Sequence, residues 1–414
     1  MSLIYKLYTY LNKIKSKELT ISKIIKDESG NKDAEMLKKS LKYLANRYYR
    51  LSWEANNSIN DVQEEIKEYF ICTLAISYSN KELDESYFKE AFNQDETEFE
   101  SFNKELLLNA LLNLKSNPLK YEGKDVIKKL SINYSYPEWA IKMMVKHFGV
   151  SHIYKDVVSI KKPLKMSLNV NTLLTSKEEV LKDNRFTNID YLENGIRYEG
   201  DFKLNEITKF KNNEIFIQDE VSQLLISKLN LEMGDETLLI SEDNGPLAID
   251  MAIKQNDIGN IHVINTDMLT ISSVRKFIDR FKLKSVNVIQ TDLSLLLSHV
   301  AKESLDKILF IAPSSNLGLL RRKSSLLLTL KREDLDSLIT YQKTYLEDVA
   351  SHLKQGGRMI YAVYTYNNKE SSLIVSEFLN NNPDYTLIEE KQLFTYTLPS
   401  DGAYYAIIER KQND

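Results

Sequence analysis

Sulfur chemistry is nearly absent from this sequence, whose 414 residues include one cysteine, Cys72. A lone cysteine excludes an internal disulfide framework and any multi-cysteine metal site. Its setting, YFICTLAISY, reads as a small core residue. Histidine is scarce too. His147, His152, His262, His299 and His352 show no pair at ligand spacing on a helix, so no metal is expected. Apolar runs fall well short of the ~18 residues that cross a bilayer, and the opening MSLIYKLYTYLNKIKSK lacks the apolar centre and cleavage site of a signal peptide. The expectation is a cytoplasmic protein with no membrane partner. Excess charge of one sign is also missing. A net charge of −4 and a pI of 5.9 argue against a strongly basic nucleic-acid binder, while leaving room for a local basic patch.

What is present is ordinary for a folded chain: 43% hydrophobic and 28% charged residues, over a length that suits about two or three domains. Glycine and proline are sparse through residues 1–150, and apolar positions recur at three and four, as in Leu37, Leu41, Leu44 and Tyr48. That spacing predicts an all-α domain. Within it, residues 40–59 interleave Lys42, Arg47 and Arg50 with Tyr43, Tyr48, Tyr49 and Trp53. Such a mixture suits RNA phosphates and bases. At helical spacing the aromatics read first as core and the cations as a solvated face.

A boundary is expected between Gly149 and Pro163, followed by a small α+β unit over residues 151–215. KMSLNVNTLL alternates as a strand does, TSKEEVL opens with a capping pattern from Ser176 to Glu179, and short strands are expected around Ile196, Phe202 and Ile215. Residues 216–414 then alternate helix and strand as a doubly wound α/β domain does. The first strand is expected at residues 237–241. The turn after it, EDNGPLAID, holds one glycine, Gly245, where close approach of backbone amides to a nucleotide usually requires several, and Pro246 removes a donor. The second strand is expected to end on Asp267, which fits either a ribose-binding carboxylate or a solvated strand end. The third is expected to end on Asp292. The helix between them places Val274, Phe277, Ile278 and Phe281 on one face and reads as a packing helix. Ile308 to Ile311 form a short apolar run of the kind a doubly covered parallel strand needs; Pro313 ends it, and Ser314, Ser315, Asn316, Leu317 and Gly318 make a small polar loop.

In order, IFIQDEVSQLLISKL, the elements around Asp267, Pro313-Ser314-Ser315 with Gly318, LKQGGRMIYAVYTY and SDGAYYA form a series that resembles the Sun family of RNA cytosine-5 methyltransferases, the bacterial type acting on small-subunit ribosomal RNA. YSYPEWAIKMMVKHFG and LNVNTLLTSKEE extend the resemblance over nearly the whole chain. It implies a NusB-like helical amino-terminal domain, an RNA-recognition-like insert and a Rossmann-like S-adenosylmethionine-dependent methyltransferase domain. It also implies two catalytic cysteines and a base-binding aspartate, and those positions are Ser314, Tyr364 and Ile311 here. Methylation of cytosine carbon 5 needs a soft, readily ionised nucleophile at carbon 6, a task for a cysteine thiolate that neither serine nor tyrosine matches. Asn169 replaces an arginine of the resembled pattern, Leu239 an aspartate and Leu247 a lysine. Gly245, Asp267 and Asp292 remain as the implied cofactor contacts.

The resulting expectation is a catalytically degenerate, monomeric RNA-binding protein related to ribosomal RNA, contacting RNA through the helical domain, the insert and the RRKSS segment at residues 321–325, with S-adenosylmethionine binding weak or lost. The alternative is an active S-adenosylmethionine-dependent RNA methyltransferase whose chemistry needs no cysteine. Tyr364 is expected to pack on Ile311 and to fill the space a flipped base would take.

Overall fold

The computed structural model describes residues 1–100, 102–200, 203–242 and 245–412. Phe202, expected near a strand, lies outside them, as do Asp243 and Asn244 of the turn around Gly245. The chain divides into two units: Met1–Val158 with Arg322–Arg332, and Ser159–Arg321 with Glu333–Asp414.

The first unit is helical. Its elements are α1 (Leu3–Lys15), α2 (Ile21–Asp27), α3 (Ala34–Asn56), α4 (Glu64–Ser79), α5 (Glu85–Asp95), α6 (Lys104–Ser116), α7 (Val126–Tyr134), α8 (Glu138–Phe148) and most of α9 (Val150–Ile160). Side chains of Ser2, Thr20, Asp84, Asn103 and Asp125 accept from the free amides at the starts of α1, α2, α5, α6 and α7, which fixes where those helices begin. Leu7, Leu11, Leu44, Tyr69, Phe70 and Cys72 are fully buried in one apolar cluster. Burial pushes the Cys72 thiol up, away from the reactive thiolate form. The aromatics of α3 divide between two environments. Tyr43 and Tyr48 pack against the core, whereas Trp53 meets Arg50 and Tyr121 instead.

The second unit holds two sheets. The smaller is antiparallel in the order β2-β3-β1-β4, from β1 (Met166–Val170), β2 (Phe186–Asn188), β3 (Gly195–Tyr198) and β4 (Ile215–Ile217), with the short helices α10 (Lys177–Val180) and α11 (Thr208–Lys211) between strands. Leu168, Val170, Val180, Phe186, Ile196 and Ile215 form its core. Ser176 accepts from the Glu179 amide at the start of α10, as its sequence pattern predicts.

The larger sheet follows in alternation: α12 (Glu220–Leu229), β5 (Glu236–Ile240), α13 (Gly245–Lys254), β6 (Asn260–Asn265), α14 (Met268–Phe281), β7 (Val286–Gln290) and β8 (Leu305–Ile311). After Arg321 the chain joins the helical unit through α15 (Leu326–Thr329), then returns for α16 (Asp334–Ala350), β9 (Leu353–Val363), α17 (Ser372–Asn381), β10 (Tyr385–Leu393) and β11 (Ala403–Arg410). Within the helical unit, Leu327 is buried and the Tyr49 hydroxyl donates to its carbonyl at 3.1 Å.

Strand order is β10-β11-β9-β8-β5-β6-β7. The neighbours from β7 through β9 are parallel, and β11 runs antiparallel to both β9 and β10. Successive residues serve opposite faces: Leu239, Leu309, Ile311 and Ile360 pack with α12, α13 and α14, while Leu238, Ile240, Ile308, Phe310 and Met359 pack with α16 and α17. Because both faces are covered, the strands read as unbroken apolar runs. The order reverses between β5 and β8, and such a switch point opens a crevice at the carboxyl ends of the strands, where ligands of open α/β sheets bind. No helix among the described residues is long and apolar enough to cross a membrane.

Candidate site at the carboxyl edge of the parallel strands

Five strands deliver loops to this edge. After β5, Gly245 opens α13, and its role is visible in the packing: a Cβ there would lie 2.6 Å from the Phe277 ring of α14. The glycine thus admits a neighbouring helix. Leu247 is buried in the same cluster, and so is Leu239 on β5.

After β6 and β7 the structure corrects the sequence-based strand ends. β6 stops at Asn265, two residues before Asp267. The Asn265 amide donates to the Ser241 carbonyl at the end of β5 (3.0 Å), and its Oδ1 accepts from the Asp267 amide (2.8 Å). Asp267 is exposed and caps α14, accepting from the Thr270 amide at 2.8 Å and the Thr270 hydroxyl at 2.7 Å. Those bonds hold its carboxyl below the usual range, the hydroxyl contributing most. The capping pattern Asp-Met-Leu-Thr, which satisfies a free helix amide, sets this turn. β7 likewise stops at Gln290, and the exposed Asp292 accepts from the Ser294 amide at 2.8 Å, opening a 3-10 turn. Its carboxyl is lowered by Ser294 first. Beside it stand Tyr341 and Tyr345 of α16, ring centroids 4.3 Å apart. Burial, then Tyr345, Asp292 and Glu242, push the Tyr341 phenol up to about 12.

After β8, Ile311 is buried in the cluster beneath α12–α14, and the largely buried Ser314 hydroxyl exchanges 3.3 Å bonds with Asn316. After β9, Tyr364 packs against the cluster that contains Ile311. It is half-buried, not enclosed. Its carbonyl accepts from the Gly318 amide at 3.0 Å, and its hydroxyl lies 3.5 Å from that of Ser222 on α12.

Among the buried acids that escaped sequence reasoning, two bear on this domain. Glu370 is fully buried: one oxygen accepts from the Ser315 amide (2.7 Å), the other from the Thr365 hydroxyl (2.9 Å) and the Asn367 amide (3.0 Å). Ser315 and Thr365 hydroxyls meet at 2.7 Å, so the loops after β8 and β9 are tied together through side chains. Asp250 of α13 is the second. Burial raises its carboxyl to about 7, against the opposing pull of Lys254, Gln218 and Asn169. Asn169, in the place of an arginine of the resembled pattern, is buried on β1 and donates to Gln218 at 2.8 Å. Asn169, Glu193, Gln223, Asp250 and Lys254 line a small open pocket. Among the described residues no group of three or more His, Cys, Asp or Glu is placed to hold a metal.

Residues 248–400 match the family model described as 16S rRNA methyltransferase RsmB/F. The probable ribosomal RNA small subunit methyltransferase B of Bacillus subtilis is 26% identical over 266 residues, 63% of this chain and 59% of that protein. The ribosomal RNA small subunit methyltransferase B of Proteus mirabilis is 24% identical over 286 residues, 67% and 66% of the respective chains. The match thus spans about six tenths of the length of these curated relatives. Among solved structures, the protein PH0851 superposes with a TM-score of 0.76 over 99% of both chains at 17% identity. A methyltransferase homologue from Pyrococcus horikoshii gives 0.62 over 70% of this chain and all of its own, at 18% identity. These structural likenesses establish the fold, a helical amino-terminal region and a methyltransferase-type α/β sheet. By family model and relatives together, the chain is similar to the RsmB/F ribosomal RNA methyltransferases.

Proposed function

We propose that this chain is a cytoplasmic, monomeric RNA-binding protein, directed at ribosomal RNA, that works without cysteine-dependent methyl transfer. On this reading residues 1–150 form an RNA-binding helical domain of NusB type, residues 151–215 an RNA-recognition-like insert, and residues 216–414 a methyltransferase scaffold kept for its shape. One observation carries it: the loops after β8 and β9 present Ser314 and Tyr364 where the resembled family has cysteines, and a buried aliphatic, Ile311, where it has an acid. Cys72 offers no replacement, since it is buried in the helical unit.

The edge of the sheet fits S-adenosylmethionine poorly. Gly245 is crowded by Phe277, Leu247 is in the core, and an amide, Asn265, ends the strand where a carboxylate would accept ribose hydroxyls. Weak or absent cofactor binding follows. A second reading, an active S-adenosylmethionine-dependent RNA methyltransferase using non-cysteine chemistry, draws support from exposed Asp267 and Asp292 at the same edge. Calorimetry with S-adenosylmethionine decides between them: affinity near micromolar, about −8 kcal/mol, together with label transfer to RNA, establishes the second reading and ends the first.

A further inference from the structure

Resting on the RNA-binding reading above, we infer that the face formed by Arg50, Trp53, Tyr121 and Lys128 in the helical unit is a binding strip for single-stranded RNA. The four side chains make a continuous ladder. The Arg50 guanidinium lies 4.8 Å from the Trp53 ring centroid, Trp53 meets Tyr121 edge-on at 6.3 Å and 79°, and the Lys128 ammonium lies 5.8 Å from the Tyr121 ring.

Its two rings are partly exposed, and neither belongs to the apolar core that holds Tyr43 and Tyr48. A structural role for α3 is met by the inward tyrosines. Trp53 and Tyr121 instead present polarisable faces at the surface, and aromatic rings between cations suit bases that stack while phosphates pair with nearby charge. The charge is local. Residues 115–129 carry Lys115, Lys120, Lys124, Lys128 and Lys129 against Glu122 and Asp125, in a chain whose net charge is −4. Lys120, Lys124 and Lys129 are exposed. Asp125 is engaged as the cap of α7, its carboxylate accepting from the Lys128 amide at 3.1 Å, so it is turned to its own helix. Arg50 is fixed from behind by Glu54 at 2.7 Å and by the Leu119 carbonyl, which holds its plane against the indole and limits the ordering cost of binding. Duplex RNA hides its base faces in the stack, so the strip selects unpaired segments.

The test uses the full chain and a fluorescently labelled twelve-nucleotide single-stranded RNA, read by anisotropy over a salt series. Trp53→Ala and Tyr121→Ala should each weaken binding about tenfold, whereas Trp53→Phe, which keeps a stacking face and the fold, should lose much less. Lys124→Ala should lower the slope of log affinity against log salt by about 0.7. In a Trp139→Phe background the remaining indole, Trp53, should be quenched by the RNA. Tight binding that survives both alanine substitutions would overturn the strip and leave the RNA-binding reading intact. Equal competition by unlabelled duplex RNA or by an acidic protein also overturns it, and absence of any RNA binding by the unaltered chain defeats both.

Discussion

The carboxylate of Glu370 accepts the backbone amide of Ser315 at 2.7 Å across 55 positions of sequence, and so fixes the loop after β8 to the loop after β9. The acid is fully buried, and its partners are one backbone amide, one hydroxyl and two side-chain amides, Asn367 at 3.0 Å and Gln342 at 3.5 Å. Removing it as Glu370→Ala leaves those donors unsatisfied, at about 1–3 kcal/mol each when desolvated. The expected outcome is a loss of about 3 kcal/mol in urea unfolding, with Glu370→Gln losing less. Equal stability of the alanine variant and the parent would show that water replaces the carboxylate.

Asp250 should make stability fall as pH rises. Its folded carboxyl titrates at about 7, above its unfolded value, so between about pH 4 and pH 7 the unfolded chain releases a proton that the folded chain keeps. Stability from the neutral acid is complete below pH 4, declines through that window, and is lost above about pH 7. At roughly 1.4 kcal/mol per pKa unit, the ceiling is about 4 kcal/mol. Asp250→Asn should therefore stabilise the protein at pH 8 by about 2 kcal/mol or more, and the gain should vanish near pH 4. A difference that does not vary with pH would remove the buried-acid account.

Tyr364→Ala separates packing from RNA contact. The ring packs against the cluster that contains Ile311 but is half-buried, so the expected loss of stability is about 1–2 kcal/mol, below the ~3–5 kcal/mol typical of a fully buried aromatic. RNA affinity should be unchanged. Lost RNA binding at an unaltered melting temperature would place this side chain on the substrate.

Gly245→Ala should destabilise the chain by about 1–3 kcal/mol, because the new methyl group meets the Phe277 ring at 2.6 Å. Phe277→Leu should recover part of the loss in the double variant. Additive losses, measured by a double-mutant cycle, would mean that the glycine serves something other than this helix contact.

Incubation of the chain with RNA and methyl-labelled S-adenosylmethionine should leave no label on carbon 5 of cytosine. The loops after β8 and β9 supply a hydroxyl and a phenol, and the lone thiol is fully buried. Recovery of labelled 5-methylcytosine from purified protein would require a nucleophile other than Ser314, Tyr364 or the buried Cys72.

Sequence patterns revealed the layers more readily than the loops. The unbroken run from Ile308 to Ile311 marks a strand covered on both faces, since alternate residues serve different helix layers. The ends of β6 and β7 were less legible. Asn265 and Gln290 are polar residues that still pair in the ladder, and the aspartates that look like strand ends are caps of the following turns. Glu370 was invisible for a different reason: nothing in YNNKESS shows that Ser315 arrives beside it, so a buried acid and a solvated one look alike in sequence. The aromatics of α3 were legible only as a group. Spacing put all four inside; Tyr43 and Tyr48 do pack on the core, whereas Trp53 meets Tyr121, which lies on a distant segment.

The excursion of residues 322–332 into the helical unit bears on the order in which the chain is made. Leu328 packs on an apolar cluster whose other members lie before Val158, so the first unit synthesised is not the first finished. Val158 and Arg332 are 174 residues apart. At 5–20 residues per second, the helical unit therefore waits about 9–35 s for its last piece. During that interval the apolar surface that receives Leu328 is open to water and to other nascent chains, and cutting the gene after Val158 would make the interval permanent.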